Sequence, residues 1–272
     1  MATADVNGTT LHYTRIGSGR TALVLHGGLG LDQSLYRALD PLASQLELIY
    51  YDHRGNGRSG RPSLDTLTMQ QWADDGADLA VQLSDDDKVV IIGHSYGGFI
   101  AQELALRHPD RVAALVLLAT APGQLGTDEA PAPEGPPLPA EFEEMLTSMP
   151  EIDVEYAAAM GRLFSAYFHG PVPVGVERQL EATIFDAAAM RRCFEELGSW
   201  SSVDRLHTLE MPALLVVGRH DAFTAVPQSD RIAQRLPNAE MVVLEHSGHF
   251  PWLEEPGEFF AVTSAWIDTH VQ

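Results

Sequence analysis

The chain has 272 residues, 45% of them hydrophobic, with 38 acidic against 17 basic side chains and a formal net charge of −21. That length accommodates one α/β domain with an insertion, and the charge argues against a nucleic-acid partner and an anionic membrane surface. No apolar run is long enough to cross a bilayer, the N-terminal stretch does not read as a signal peptide, and the one cysteine, Cys193, excludes an internal disulfide, so a cytoplasmic protein is expected.

In chain order, Asn7-Gly8 is a turn signal, and 9–16 alternates apolar and polar residues as an antiparallel strand or hairpin does. A short buried strand over 21–25 ends in His26-Gly27-Gly28-Leu29-Gly30. Such a loop brings backbone N–H groups to the carboxyl edge of a parallel sheet. Its glycine spacing fits neither a Walker A loop nor Gly-x-Gly-x-x-Gly. A helix broken at Pro41 is expected over 35–46, then a strand over 48–51. The strand runs into Asp52-His53-Arg54-Gly55-Asn56-Gly57-Arg58-Ser59. Adjacent in a turn, Asp52 and His53 point apart and lack metal-ligand spacing. A loop braced by its own side-chain hydrogen bonds is expected, and no metal. Over 68–83 the apolar period is helical, with Asp74, Asp75 and Asp78 expected on the wet face.

The next stretch organises the rest. Val89-Val90-Ile91-Ile92 runs into Gly93-His94-Ser95-Tyr96-Gly97-Gly98, a helical pattern covers 99–107, and His108-Pro109-Asp110 stops it. Strand, Gly-x-Ser-x-Gly turn and helix are the setting of a nucleophile elbow. There the Ser95 hydroxyl stands clear at the carboxyl end of the strand. The Tyr96 N–H, opening the helix, points to where an oxyanion would form. Gly28 is the second expected oxyanion donor. An apolar strand over 112–119 continues the parallel sheet.

The strand–helix alternation then stops. Residues 123–140 are rich in proline, glycine and alanine and read as a mobile linker. Helices are expected over 142–149, 154–168, 176–184 and 187–197. Cys193 falls in the last of them, away from any elbow, and reads as a packed thiol. Alternation resumes with a strand over 213–218, a helix over 228–236, a strand over 240–244 and a helix over 256–271. This pattern predicts an α/β fold: a mostly parallel, doubly wound sheet with an inserted helical cap. The core domain is expected over 1–120 and 209–272, and the cap over 121–208.

A serine hydroxyl needs a base within reach, and the base needs an acid to hold its tautomer. On this type of sheet the acid and the histidine come after the last strands. One such loop is Gly218-Arg219-His220-Asp221, the other Glu245-His246-Ser247-Gly248-His249. Asp221 and His249 are the expected acid and base. His220 and His246 are their rivals, and Gly248 favours His249 by letting the loop approach Ser95.

These motifs together resemble the α/β-hydrolase superfamily over essentially the full chain. The resemblance implies a serine hydrolase, since the similar dehalogenases and epoxide hydrolases carry an aspartate at the elbow. Within the superfamily the chain resembles the proline iminopeptidase group, which has His-Gly-Gly-Pro-Gly and Asp-Gln-Arg-Gly-x-Gly-x-Ser loops. Here Leu29 stands at that proline and His53 at that glutamine, and the elbow has His94 and Tyr96 where that group often has serine and tryptophan.

The implied chemistry is acyl transfer from an ester, lactone or amide of a small-molecule or short-peptide substrate, without metal or organic cofactor. Proline iminopeptidase-like activity is one form, and a carboxylesterase or acyl-lactone hydrolase the alternative. A non-hydrolytic lyase, oxygenase or receptor on the same fold is more remote. In iminopeptidases, cap carboxylates hold the substrate's free amino terminus. Glu141, Glu143, Glu144, Glu151, Asp153, Glu155, Glu177, Glu181, Glu195 and Glu196 are candidates for that role or for solvated helix faces. Phe164, Phe168, Phe185, Trp200 and Trp252 are candidates for an apolar acyl pocket.

Overall fold

The computed structural model describes residues 2–123 and 136–271; residues 124–135, most of the expected linker, lie outside the described residues. Eight strands form one sheet in the order β1-β2-β4-β3-β5-β6-β7-β8. β1 (Ala2–Val6) and β2 (Thr9–Gly17) make the expected hairpin, and β2 joins β4 antiparallel. β3 (Arg20–Leu25), β4 (Leu46–Tyr51), β5 (Val89–His94), β6 (Val112–Leu118), β7 (Ala213–Gly218) and β8 (Ala239–Leu244) are parallel. Their carboxyl ends therefore share one edge, to which every loop singled out in the sequence belongs.

Alternate strand residues serve opposite faces, as pleating requires. Leu23, Leu25, Ile91, Leu115 and Leu215 pack under α1 (Met69–Leu83) and α2 (Tyr96–Arg107). Val24, Tyr50, Ile92, Val116 and Val216 pack against the 33–44 segment and the C-terminal helix. Between β6 and β7 lie α3 (Ala140–Thr147), α4 (Asp153–Leu163), α5 (Val176–Ala182) and α6 (Ala187–Leu197). Met145, Tyr156, Met160, Leu163 and Met190 from these helices form their own cluster around Leu31, over the carboxyl edge. After β7 come α7 (Val226–Ala233), then β8, α8 (Pro251–Glu254) and α9 (Pro256–His270).

Three expectations are corrected. The segment 33–44 winds as 3-10 turns around Pro41, whose ring nitrogen can donate no helical hydrogen bond. The helix expected over 154–168 ends at Leu163, and a 3-10 turn comes next over Phe164–Tyr167. Asp75 is buried rather than wet: its carboxylate takes Arg54 Nε at 2.6 Å and Nη2 at 2.7 Å, together with Asn7 and Gln71. Asp74, one residue earlier, pairs at the surface with Arg107 and His108. The 52–59 loop is braced as expected. Ser59 Oγ donates to the Asp52 carbonyl at 2.6 Å, Asn56 Nδ2 to the Arg54 carbonyl at 2.8 Å, and the Arg58 N–H to Asp52 Oδ2 at 2.8 Å.

Candidate active site

Ser95 joins β5 to α2 with φ 51° and ψ −117°, a conformation L residues rarely adopt. The surroundings hold it there. Its N–H donates to the Leu118 carbonyl at 2.9 Å, and its carbonyl accepts from the Gly98 N–H at 2.9 Å and Thr120 Oγ1 at 2.8 Å. The helix can start so close to the sheet because Gly97 has no side chain: a Cβ there would lie 2.1 Å from the Leu25 carbonyl oxygen. Ser95 Oγ makes no hydrogen bond among the described residues, and the serine forms part of a cavity wall.

His249 forms part of the same wall. Its Nδ1 lies 2.8 Å from Asp221 Oδ2. Asp221 also accepts from the Phe223 and Thr224 N–H groups at 2.8 and 3.0 Å, and from Thr224 Oγ1 at 2.7 Å. Burial alone would raise the Asp221 carboxyl. His249 and the Thr224 donors outweigh that and hold it down at about 2. With Asp221 ionised, a carboxylate that can only accept, the shared proton sits on His249 Nδ1. The rivals are elsewhere. His220 is exposed and stacks on His169 at 3.6 Å, and His246 is exposed too. Thr224 carries no sequence signal beyond its place three residues after Asp221.

The Gly28 and Tyr96 N–H groups, the expected oxyanion donors, belong to residues of that wall and bond no acceptor among the described residues. The Gly28 N–H shares its peptide group with the Gly27 carbonyl, which lies 3.0 Å from His26 Nδ1. His26 Nε2 accepts the His53 N–H at 3.1 Å, so the proton of His26 is on Nδ1 and donates to that carbonyl. His53 Nε2 returns a bond to the His26 carbonyl at 3.1 Å. Burial lowers both histidines, which stay neutral.

The cavity encloses about 170 Å³. Six phenylalanines line it (Phe99, Phe142, Phe164, Phe194, Phe223 and Phe250), together with Tyr156 and Tyr167. Of the five aromatic residues expected there, Phe164 lines it, whereas Phe168, Phe185, Trp200 and Trp252 do not. Trp200, for one, turns its N–H to Glu103 at 2.9 Å. None of the ten candidate carboxylates between 141 and 196 reaches the wall. Glu141, Glu143, Glu144, Glu177 and Glu181 are exposed; Asp153 accepts the Ala187 N–H at 2.9 Å; Glu195 and Glu196 pair with Arg192. Among the described residues the acidic one in the wall is Asp32, whose side chain is 0% exposed and is bonded by the Ser34 and Ile184 N–H groups and Arg58 Nη1. Burial pushes the Cys193 thiol up to about 12, so it is no nucleophile at neutral pH. Among the described residues no group of three or more His, Cys, Asp or Glu is placed to hold a metal ion.

A family model described as alpha/beta hydrolase fold matches residues 21–256. The chain is similar to a proline iminopeptidase, PfmaB, of Pestalotiopsis fici, at 27% identity over 92% of this chain and 93% of that one. It is likewise similar to a pimeloyl-[acyl-carrier protein] methyl ester esterase of Aeromonas hydrophila, at 27% identity over 93% of this chain and 97% of that one. Among solved structures it resembles Est816, described as an N-acyl homoserine lactone degrading enzyme, with a TM-score of 0.71 and 26% identity over 97% of this chain and 99% of that one.

Proposed function

Because the chain belongs to the alpha/beta hydrolase family and is a hydrolase, we propose that it is a serine hydrolase cleaving an ester or lactone of a small, uncharged, apolar acyl group. In this reading His249 Nε2 takes the Ser95 proton as Oγ adds to the substrate carbonyl. The Gly28 and Tyr96 N–H groups hold the oxyanion that forms. His249 then gives the proton to the departing alcohol, and water, activated by His249, releases the acyl group from Ser95. Asp221 keeps the imidazole in the Nδ1–H tautomer throughout. Residues 121–208 act as the cap that closes the acyl site.

One observation carries the choice of substrate: the wall is aromatic, and its one acidic side chain among the described residues, Asp32, already has three donors. A substrate ammonium would lose its water there and find no free carboxylate among the described residues, at a cost of several kcal/mol. The volume is near that of engineered cavities of about 150 Å³ that hold a benzene ring, so the acyl group is compact. The similarity to proline iminopeptidases supports a second reading, a peptidase whose amine site lies outside this wall.

The test is hydrolysis by pure protein of a short-chain p-nitrophenyl ester beside proline p-nitroanilide, with Ser95→Ala as control. Ester cleavage lost in the variant, with the anilide untouched, is the expected result. Anilide cleavage as fast as ester cleavage overturns the substrate class, and an active Ser95→Ala overturns the mechanism.

A further inference from the structure

We infer that Tyr36 is a positioning residue whose hydroxyl ties the oxyanion loop to the nucleophile elbow and, through His94, to the main chain of His249. The inference rests on the serine-hydrolase reading. Tyr36 lies in the 33–44 segment, outside every motif singled out in the sequence. Its hydroxyl oxygen is 2.5 Å from the Gly27 N and 2.7 Å from His94 Nδ1, and His94 Nε2 is 3.0 Å from the His249 carbonyl oxygen.

The direction of each bond is set by elimination. A carbonyl can only accept, so His94 carries its proton on Nε2. The ring is neutral, since burial and the neighbouring His249 hold His94 well below the ordinary histidine range. Nδ1 is then a lone pair, and the Tyr36 O–H must donate to it. The phenol stays protonated because burial drives its pKa upward. The remaining lone pair of Tyr36 accepts the Gly27 N–H. The series Gly27 N–H to Tyr36, Tyr36 to His94 and His94 to the His249 carbonyl leaves each of these groups satisfied.

The series links the loop after β3, the last residue of β5 and the loop after β8, which carry or adjoin the oxyanion donor, the nucleophile and the base. On Gly27 it meets the bond from His26, so the peptide groups before and after Gly27 are each pinned, and the second of them carries the Gly28 N–H. Gly27 itself is shaped by the link. A Cβ there would lie 2.8 Å from the Tyr36 hydroxyl and 2.8 Å from His94 Nδ1. The Tyr36 ring also packs against Trp252 at 5.9 Å and His94 at 5.6 Å, so Tyr36→Phe keeps the packing and removes only the hydroxyl.

The experiment is a double-mutant cycle with Tyr36→Phe and His94→Phe, each checked for folding by thermal melting and assayed on a short-chain p-nitrophenyl ester. Each single change should lower kcat on the order of 10- to 100-fold, the effect of leaving a buried donor or acceptor unpaired beside the reacting atoms, with KM within about twofold. The double variant should lose no more than the worse single one, because either change breaks the same series. A folded Tyr36→Phe with wild-type kcat, or losses that multiply in the double variant, overturns the inference. Should Tyr36→Phe not fold, His94→Phe decides it alone: a loss confined to kcat supports the link, and wild-type kcat refutes it. Labelling of wild-type Ser95 by an active-site phosphonate separates the two levels. Labelled protein with undiminished turnover in Tyr36→Phe refutes only the positioning role, whereas unlabelled, inactive wild type overturns the hydrolase mechanism and this inference with it.

Discussion

Ser95→Gly should stabilise the protein while abolishing turnover. At φ 51° and ψ −117° Ser95 occupies backbone space that costs a residue with a Cβ about 1–3 kcal/mol. Glycine tolerates that conformation but loses more backbone entropy on folding, about 0.5–1 kcal/mol. The Ser95 hydroxyl has no hydrogen bond among the described residues, so deleting it removes no polar contact. The balance is a gain centred on about 1 kcal/mol and at most about 2.5 kcal/mol. With unfolding entropy near 2.1 cal/mol/K per residue, a chain of this length moves about 2 °C in Tm per kcal/mol, so the rise should be about 2 °C and at most about 5 °C. Ser95→Ala is the control that matters: it removes the same hydroxyl but keeps the Cβ, so its Tm should stay near wild type. Calorimetric melts of the three proteins at about pH 7.5 make the comparison. Ser95→Gly melting at or below Ser95→Ala would refute the claim that the elbow stores strain.

Acid should weaken the fold in a defined window. Burial holds His26, His53 and His94 below 6.5, so the unfolded chain binds protons there that the folded chain refuses. Stability is then full above about pH 6.5 and falls below it, by up to ~1.4 kcal/mol per pH unit for each histidine; a urea midpoint at pH 5.5 equal to that at pH 7.5 would contradict this. Asp75→Ala strands Arg54 in the interior without its carboxylate and should cost about 3–5 kcal/mol, read from the shift of the urea midpoint; a loss below about 1 kcal/mol would mean the pair is solvated. Asp221→Asn should keep the accepting bonds from Phe223 and Thr224 but lose the hold on the His249 tautomer, lowering kcat by about 10³–10⁴-fold with little change in KM; a kcat within about tenfold of wild type would remove Asp221 from the proposed triad.

The parts legible in the sequence are those with local causes. Buried parallel strands are continuous apolar runs, which is why 21–25, 89–92 and 213–218 read clearly. The Ser95 turn and the loops bearing Asp221 and His249 come directly after such strands, so their place at one edge was readable. What stayed hidden depends on partners distant in sequence. Asp75 shares its helical stretch with Asp74 and Asp78, and Arg54, 21 residues away, and Asn7, 68 residues away, make its position an interior one. Tyr36 meets His94 58 residues on, from a segment whose proline disguised its winding. The cavity wall depends on how α3, α4 and α6 turn over Leu31, and composition cannot choose Phe142, Phe194 and Phe223 over Phe168 and Phe185.

The charge of the chain and the chemistry of its cavity point in different directions, and the desolvation of carboxylates reconciles them. A net charge of −21 makes a potential that draws cations towards the surface. Attraction over a distance is useful only if a charged group waits at the end of the path. A free carboxylate in the aromatic wall would itself have to leave water, so the one there among the described residues, Asp32, is consumed by Ser34, Ile184 and Arg58. The helices between β6 and β7 obey the same constraint: their acidic side chains stay in water or cap and pair locally, and their aromatic and methionine side chains turn inward. Surface charge on this protein accordingly governs solubility and the approach of ions, and under the proposed function what enters the cavity is selected by shape and by the absence of charge.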